Sequence, residues 1–270
     1  MKFLLNEYSK NCNIGIFFFS GFFVYNQTIV HNHKKIKHQD LVWFSYFIKK
    51  QITKKLEIES DVQERFFFKP LAQHQFVVRS MLTAVLANEL MGSAGLCYFL
   101  QSPQDPKVAK YNLVVPEIRP HIEFKNNQKL LQNILLKSRI RIEARFHHQT
   151  NELRSELKGG YTFSNFRFRY QLSLQIPLLS SLQNNNILSL ILMDEVMFNA
   201  GHRITYNMFD QNRIYIALGT QISQNHLFEL GYMNWFQQES TGYSFINRNI
   251  LRFTLTHKIN FTQNTHNPNP

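Results

Sequence analysis

The feature that most constrains the fold is a strict alternation of charged and apolar residues. In the stretch SRIRIEARF, residues 138–146, Arg139, Arg141, Glu143 and Arg145 occupy every second position, and apolar residues fill most of the positions between them. Side chains of a β-strand point alternately to its two faces, so this stretch predicts a strand with one ionic face and one apolar face. The same period recurs in NFRFRYQLSLQI and LRFTLTHKINF, and we find no long stretch with a helical period.

The alternation predicts eleven strands. They lie at about 41–49, 55–67, 74–87, 91–101, 113–130, 134–148, 163–177, 187–199, 211–222, 226–236 and 246–261. Short turns alternate with longer loops, which is typical of an all-β, antiparallel, up-and-down transmembrane β-barrel with short periplasmic turns and longer extracellular loops. Bacterial single-chain barrels have an even number of strands, so we expect about twelve. The additional strand would come from residues 28–40, or from one predicted segment that is really two.

The amino-terminal residues have the pattern of an export signal. Lys2 and Lys10 precede the apolar run IGIFFFSGFFVY, which is too short to span a bilayer as a helix. An uncleaved anchor or a buried core segment is the alternative interpretation of this run. The predicted organisation is a signal peptide at 1–26, a flexible amino-terminal segment at 27–40, a single barrel domain at 41–261 and a polar tail at 262–270.

Two environments produce strands with one apolar and one charged face. In a soluble sandwich the apolar face packs in the core, whereas in a membrane barrel it contacts lipid and the polar face lines the interior. The export signal, the length of the strands and the aromatic residues near the strand ends favour the membrane barrel. The predicted membrane girdle consists of Trp43, Tyr46, Phe66, Tyr98, Tyr232, Trp235 and Phe261.

In a membrane barrel the ionic faces line the lumen. The predicted lumen charge network consists of Glu117, Arg119, Glu123, Arg139, Arg141, Glu143, Arg145, Arg167, Arg169, Glu195 and Arg213. A desolvated charge without a partner is costly, so we expect hydrogen bonds between arginines and carboxylates, including one between Glu195 and Arg213. Asp194, the neighbour of Glu195, should point away from the lumen. Such a network serves either stability alone or an anion conduit or anion site.

Six stretches of the chain carry a family resemblance. They are EIRPHIEF, SRIRIEARF, FRFRYQLSLQIPL, ILMDEVMFN, FDQNRIYIALGTQIS and FELGYMNW. In order and spacing they resemble consecutive strands of an uncharacterised bacterial outer-membrane family, domain of unknown function 2490, seen mainly in Bacteroidetes-type bacteria. The likeness extends from about Leu41 to Phe261, by pattern alone in the amino-terminal strands. It implies an outer-membrane β-barrel without an established activity and supplies no catalytic residues.

The sequence indicates no catalytic, metal or cofactor site. The candidate nucleophiles and bases have no spacing that joins them into a triad; they are Ser164, Ser173, Ser189, His121, His147 and His148. A second group of histidines is surrounded by lysines, which disfavours metal binding; it comprises His31, His33 and His38. The chain has 30 Lys and Arg against 18 Asp and Glu, but this charge alternates with apolar residues and does not form the solvated patch of a nucleic-acid-binding protein.

The leading hypothesis is an outer-membrane barrel of structural or transport type, with a lumen lined by Arg and Glu. Its expected partners are outer-membrane lipids, anionic lipopolysaccharide and the barrel-assembly machinery, with no nucleic acid and no cofactor. One alternative is a lipid-modifying outer-membrane enzyme of the phospholipase or acyltransferase type. The other is a soluble periplasmic lipid-binding barrel, which would stay in solution without detergent.

Overall fold

The computed structural model describes residues 34–130, 134–180 and 187–259, and these residues form a closed β-barrel. The predicted signal peptide, Phe261, the polar tail and the histidines at 31 and 33 lie outside the described residues. Within the described ranges, no helix is long and apolar enough to cross a lipid bilayer.

Eleven strands form the barrel wall. They are β1 (Lys35–Gln51), β2 (Leu56–Phe67), β3 (Ala72–Val85), β4 (Leu90–Gln101), β5 (Val115–Lys129), β6 (Leu135–Thr150), β7 (Leu157–Ser180), β8 (Ile187–Ala200), β9 (Phe209–Ser223), β10 (His226–Gln238) and β11 (Ser244–Ile259). Each strand pairs with the next one along the chain in antiparallel orientation. The predicted all-β up-and-down barrel is therefore confirmed, and the strand count is close to the expected twelve.

The barrel closes through a parallel pair. With eleven strands, the first and the last run in the same direction, and β1 pairs with β11 in one register from Lys35 opposite Ser244 to Lys50 opposite Ile259. This pairing accounts for an odd strand number in a closed barrel. The ladder with β11 holds residues 35–40 in β1 although their own alternation is poor, so this strand begins before the predicted start at about residue 41. The remainder of the predicted flexible segment, residues 27–33, lies outside the described residues.

The two ends of the barrel differ in their connections. At the end that we call the turn end, the connections between strands have two to six residues. At the other end, the loop end, they have four to thirteen residues, and the longest, residues 102–114, joins β4 to β5. The amino terminus of β1 lies at the loop end and the carboxyl terminus of β11 at the turn end, as parallel closure requires.

The wall is apolar outside and largely polar inside. Along β9, Arg213 and Tyr215 are buried, whereas Ile214, Ile216 and Leu218 between and after them are about half exposed. The same alternation recurs on the other strands and places most guanidinium and carboxylate groups in the interior. One flank of the interior also holds a cluster of buried, mostly apolar side chains, which consists of Leu41, Trp43, Phe67, Ile191, Tyr215, Ala217, Met233, Trp235 and Ile250. The interior thus has an ionic side and an aromatic side.

Candidate functional site

Glu195 on β8 lies at the centre of the ion-pair network on the ionic side. Its Oε1 accepts hydrogen bonds from Arg139 Nη2 at 2.5 Å and from Arg169 Nη2 and Nε at 2.7 and 3.0 Å. Its Oε2 lies 3.7 Å from Arg213 Nη1 on β9, the partner that the sequence predicts. Glu195 is almost fully buried, and this one carboxylate contacts cations from three other strands.

Two further carboxylates, on β6 and β5, continue the ion-pair network toward β5. Glu143 on β6 accepts a hydrogen bond from Arg169 Nη1 at 2.8 Å and lies 3.7 Å from Arg141 Nη1. Glu123 on β5 accepts a hydrogen bond from Arg141 Nε at 2.5 Å, and Arg141 Nη2 lies 2.5 Å from the same oxygen. Lys125 Nζ lies 3.1 Å from Glu123 Oε1. The ion pairs therefore form a continuous chain across the interior from β5 to β9.

Glu117 on β5 forms a separate cluster. It accepts hydrogen bonds from Arg119 Nη2 at 2.7 Å and from Arg145 Nε and Nη2 at 2.5 and 3.1 Å. His147 Nε2 lies 3.1 Å from the same carboxylate. With Arg167, which lies 2.9 Å from Asp210, every residue of the predicted lumen charge network faces the interior and lies within 4.0 Å of an opposite charge.

Several interior ion pairs were not among the predicted site residues. Asp61 on β2 lies 3.7 Å from Arg79 on β3, directly opposite in register. Glu59 accepts a hydrogen bond from Lys125 at 2.5 Å. The signal for the acidic partners is present in KLEIESDVQERF, where Glu59 and Asp61 alternate with apolar residues. Asp210 carries no such signal, because a bulge between β8 and β9 disturbs the register near it.

The aromatic side is built from two cross-strand ladders in which a tryptophan lies between two arginines. In the first, Trp43 on β1 is directly opposite Arg65 on β2 and Arg252 on β11. The guanidinium carbons of these arginines lie 3.6 Å and 4.7 Å from the centroid of the Trp43 ring. Close approach of guanidinium groups to an indole is the geometry of a cation–π interaction, so Trp43 stabilises both cations.

The second ladder repeats this arrangement two strands away. Trp235 on β10 is directly opposite Arg213 on β9 and Arg248 on β11. Their guanidinium carbons lie 4.5 Å and 4.4 Å from the Trp235 ring centroid. Arg213 also lies 5.6 Å from the Trp43 centroid, so it joins the two ladders. We refer to these six residues as the Arg–Trp ladders.

The arginines of the ladders have few carboxylate partners. Within the described part of the chain, no Asp or Glu oxygen lies within 4.0 Å of Arg65, Arg248 or Arg252. Arg65 donates instead to side-chain oxygens of Gln63 and Gln75, the latter at a very short distance. Arg248 donates to three glutamine side chains, those of Gln39, Gln104 and Gln237. The positive charge of the ladders is therefore poorly paired, whereas each arginine of the ionic side lies within 4.0 Å of a carboxylate.

Both sides of the interior line one cavity of about 620 Å³. Its lining contains fourteen cations, which are Lys49, Arg65, Arg79, Arg119, Lys125, Lys137, Arg139, Arg141, Arg145, Arg167, Arg169, Arg213, Arg252 and Lys258. It contains four carboxylates, which are Glu57, Glu59, Glu123 and Glu195. A cavity of this size matches the volume of small-molecule sites, and the excess of cations favours anionic occupants.

Comparison with profiles of known protein families matches residues 41–247 of the chain to the family described as "Protein of unknown function (DUF2490)". The chain belongs to this family. The match begins in β1 and ends in β11, so it includes residues of all eleven strands of the DUF2490 barrel. No curated protein matches the chain.

The assignment of Trp43 and Trp235 to a membrane girdle is wrong. Both tryptophan side chains lie inside the DUF2490 barrel, with 3% and 2% of their surface exposed. Among the other predicted girdle residues, Tyr46, Tyr98 and Tyr232 are exposed on the outer wall, and Phe66 is partly exposed there. Asp194 also faces outward, where its Oδ1 accepts a hydrogen bond from Asn212 at 2.6 Å.

The candidate nucleophiles and bases of the DUF2490 barrel are not assembled. The hydrogen bonds among the described residues join none of Ser164, Ser173 and Ser189 to a histidine. His121 contacts the carbonyl oxygen of Arg119, and His147 belongs to the Glu117 cluster. In the part of the chain that the structure describes, no group of three or more His, Cys, Asp or Glu residues could hold a metal ion.

Proposed function

We propose that this protein is an integral outer-membrane barrel of transport type whose interior admits small anions. The observation that carries the proposal is the lining of the cavity, which contains fourteen Lys and Arg and four Glu. Four further buried carboxylates pair with arginines of the lining and leave the cations in excess; they are Asp61, Glu117, Glu143 and Asp210. A low-dielectric wall around an excess of one charge concentrates ions of the opposite charge. Rings of Arg and Lys are the elements that give pores a preference for anions.

The outer wall supports a membrane location. On β7 the outward residues from Phe166 to Ile176 are all apolar or aromatic, and Phe168, Tyr170 and Leu172 between them are exposed. Ten residues at about 3.3 Å each, tilted by about 40°, span about 25 Å along the barrel axis, which is the height of the apolar band of outer-membrane barrels. The wall therefore matches the thickness of a bilayer core.

Polar pairs interrupt the outer wall in the half of the strands nearer the loop end. Besides Asp194 and Asn212, Asn234 donates to Asn247 at 2.7 Å and Asn249 donates to Asp40 at 3.0 Å. The residues of these pairs on β9, β10, β11 and β1 lie within six residues of the loop end of their strands. Asp194 and Asn234 both lie directly opposite Ile214, so these pairs reach into the apolar band, where their mutual hydrogen bonds reduce the cost of polar groups.

Exposed cations in the loops support the proposed lipid partners. The longest loop carries Lys107 and Lys110, the β6–β7 connection carries Arg154, and the β8–β9 connection carries Arg203, all of them exposed. Cations at an outer surface attract the phosphates of lipopolysaccharide. Insertion by the barrel-assembly machinery is part of the same proposal.

The loop end restricts the passage. Gln104 in the longest loop reaches across to β1 and β11, where its carbonyl oxygen accepts a hydrogen bond from Gln39 at 2.8 Å. Its Oε1 accepts a second hydrogen bond from Arg248 Nη2 at 2.7 Å. The loop therefore covers part of the mouth, and a narrow passage with low conductance fits this geometry better than a wide pore.

Conductance of the full-length protein in a planar lipid bilayer tests the proposal. Under a KCl gradient, we expect a reversal potential that corresponds to a chloride preference of about threefold or more, because the lining is cationic. Charge reversal of two lining residues, Lys49→Glu with Lys258→Glu, should reduce this preference, whereas Lys107→Glu in the exposed loop is the matched control and should change it little. A silent membrane or a preference for potassium would refute the transport proposal.

A further inference from the structure

Arg65, Arg213 and Arg252 surround one aromatic ring and all line the cavity. Their guanidinium carbons lie 3.6, 5.6 and 4.7 Å from the Trp43 ring centroid. No two of these guanidinium groups can therefore lie more than about 10 Å apart, and like charges at such a distance repel one another in a desolvated interior. An arrangement of this kind gains most from an anion placed between the cations.

The cluster is poorly neutralised by the protein. Only Arg213 has a carboxylate within 4.0 Å among the described residues, at 3.7 Å from Glu195, and that carboxylate is already bonded to Arg139 and Arg169. The Nε atoms of Arg65, Arg213 and Arg252 have no hydrogen-bond partner within the described ranges. Among the described residues Arg252 donates no side-chain hydrogen bond, so its terminal N–H groups remain available to a ligand in the cavity that it lines.

The contacts with tryptophan leave donors free in a useful geometry. A cation–π contact uses none of the N–H groups of the guanidinium. Arg65 directs one N–H of each terminal nitrogen to Gln63 and Gln75, and each of these nitrogens carries a second N–H. In-plane donors from several guanidinium groups match the oxygens of phosphate and carboxylate, which arginine binds in a bidentate manner. Chloride, a single sphere, gains less from this arrangement than an oxyanion.

We infer that the cluster formed by Arg65, Arg213, Arg252 and Trp43 is a binding site for an oxyanion, either free or as the phosphate or carboxylate group of a small organic solute. The cavity of about 620 Å³ leaves room for the organic part of such a solute. The inference deepens the proposed function, since it names a substrate class for the basic interior, but it requires neither a membrane nor conduction.

Titration of the purified full-length protein in detergent with inorganic phosphate tests the site. Both tryptophans of the chain lie in the Arg–Trp ladders, so phosphate should change the intrinsic fluorescence with a saturable curve at constant ionic strength. Arg252→Gln should weaken phosphate affinity by about tenfold or more, because it removes a charged donor that no carboxylate of the described residues pairs with. A parallel titration with acetate distinguishes a phosphate site from a carboxylate site.

Arg139→Gln is the matched control. Arg139 lines the same cavity but is bonded to Glu195, so its loss should change the affinity by less than about twofold. Arg252→Lys, which retains the charge without the planar fork, should give an intermediate affinity and serves if the glutamine variant fails to fold. The inference is overturned if neither anion gives a saturable response, or if the Arg252 and Arg139 variants lose affinity equally. The titration involves no bilayer, so it tests the oxyanion site independently of anion conduction. Either proposal can be refuted while the other stands.

Discussion

Replacement of Glu195 by leucine should lower the free energy of unfolding by about 3–5 kcal/mol, because it removes a buried carboxylate that three arginines share. Arg139 and Arg169 donate to Glu195, and Arg213 lies 3.7 Å from it. Arg169 keeps Glu143 and Arg139 keeps Glu123, but Arg213 has no other carboxylate within 4.0 Å among the described residues. A buried cation left without its partner costs more than the pair contributes. Leucine has a similar volume, so the formation of a cavity adds little to the loss. Urea unfolding of the folded protein in lipid or detergent, followed by tryptophan fluorescence, measures the change.

Asp194→Leu provides the matched control for this prediction. The residue is the chain neighbour of Glu195, but its side chain lies on the outer wall, where it accepts one hydrogen bond, from Asn212. We expect a change of no more than about 1 kcal/mol, in either direction, because the substitution removes one exposed polar contact and adds apolar surface to the wall. Equal losses in the two variants would contradict the division into an ionic interior and an apolar exterior.

Ile216→Arg should cost about 2–4 kcal/mol of unfolding free energy in a lipid bilayer, because it places a charge in the middle of the apolar band. Ile216 is half exposed on the outer wall of β9. In a soluble barrel the same residue would contact water, and an exposed substitution there usually changes stability by less than about 0.5 kcal/mol. The size of the loss therefore distinguishes hydrocarbon from water as the solvent of the wall. Urea unfolding from liposomes provides the measurement.

Ile222→Arg tests the depth dependence on the same strand and the same face. Ile222 lies six residues closer to the turn end, next to the last residue of β9, and is also well exposed. A cation at the edge of the band reaches the headgroups, so we expect a loss of only about 0–1 kcal/mol. Small and equal losses for the two arginine substitutions would instead favour a barrel that is surrounded by water.

The positions of most strands could be predicted from the period-two alternation in the sequence. The predicted strands at 55–67, 91–101 and 187–199 agree with β2, β4 and β8 to within one residue at each end. Alternation gives these boundaries because a strand with one buried ionic face and one apolar face tolerates few exceptions. The ionic residues of SRIRIEARF face the interior for the same reason.

The same rule shows that each tryptophan and the tyrosine paired with it in the predicted girdle could not both belong to that girdle. Trp43 and Tyr46 are three residues apart, as are Tyr232 and Trp235, so on a regular strand the two members of each pair face opposite sides. Proximity to a strand end and aromatic character were misleading guides. The stretch LVWFSYFI in β1 is apolar at nearly every position, so hydrophobicity alone cannot assign its faces.

Contacts between distant parts of the chain could not be predicted from the pattern. The pairing of β1 with β11 joins residues about 200 positions apart, so local alternation contains no information about it. The same applies to the ladder between Trp43 and Arg252 and to the reach of Gln104 across the barrel mouth.

Bulges are a second feature that the sequence pattern does not predict. The irregularity after Arg65 on β2 lets the adjacent residues His74 and Gln75 on β3 both be buried.

The central claim is that hydrocarbon surrounds the outer wall while the tryptophans and arginines face the interior. Fluorescence quenching by lipids with brominated acyl chains tests this claim most directly, since bromine quenches only tryptophans that contact the chains. In the natural protein, Trp43 and Trp235 are buried inside the barrel, so brominated lipids should leave the emission nearly unchanged. In the Ile216→Trp variant the additional emission should be strongly quenched. Strong quenching of the natural protein, or no quenching of the added tryptophan, would contradict the account.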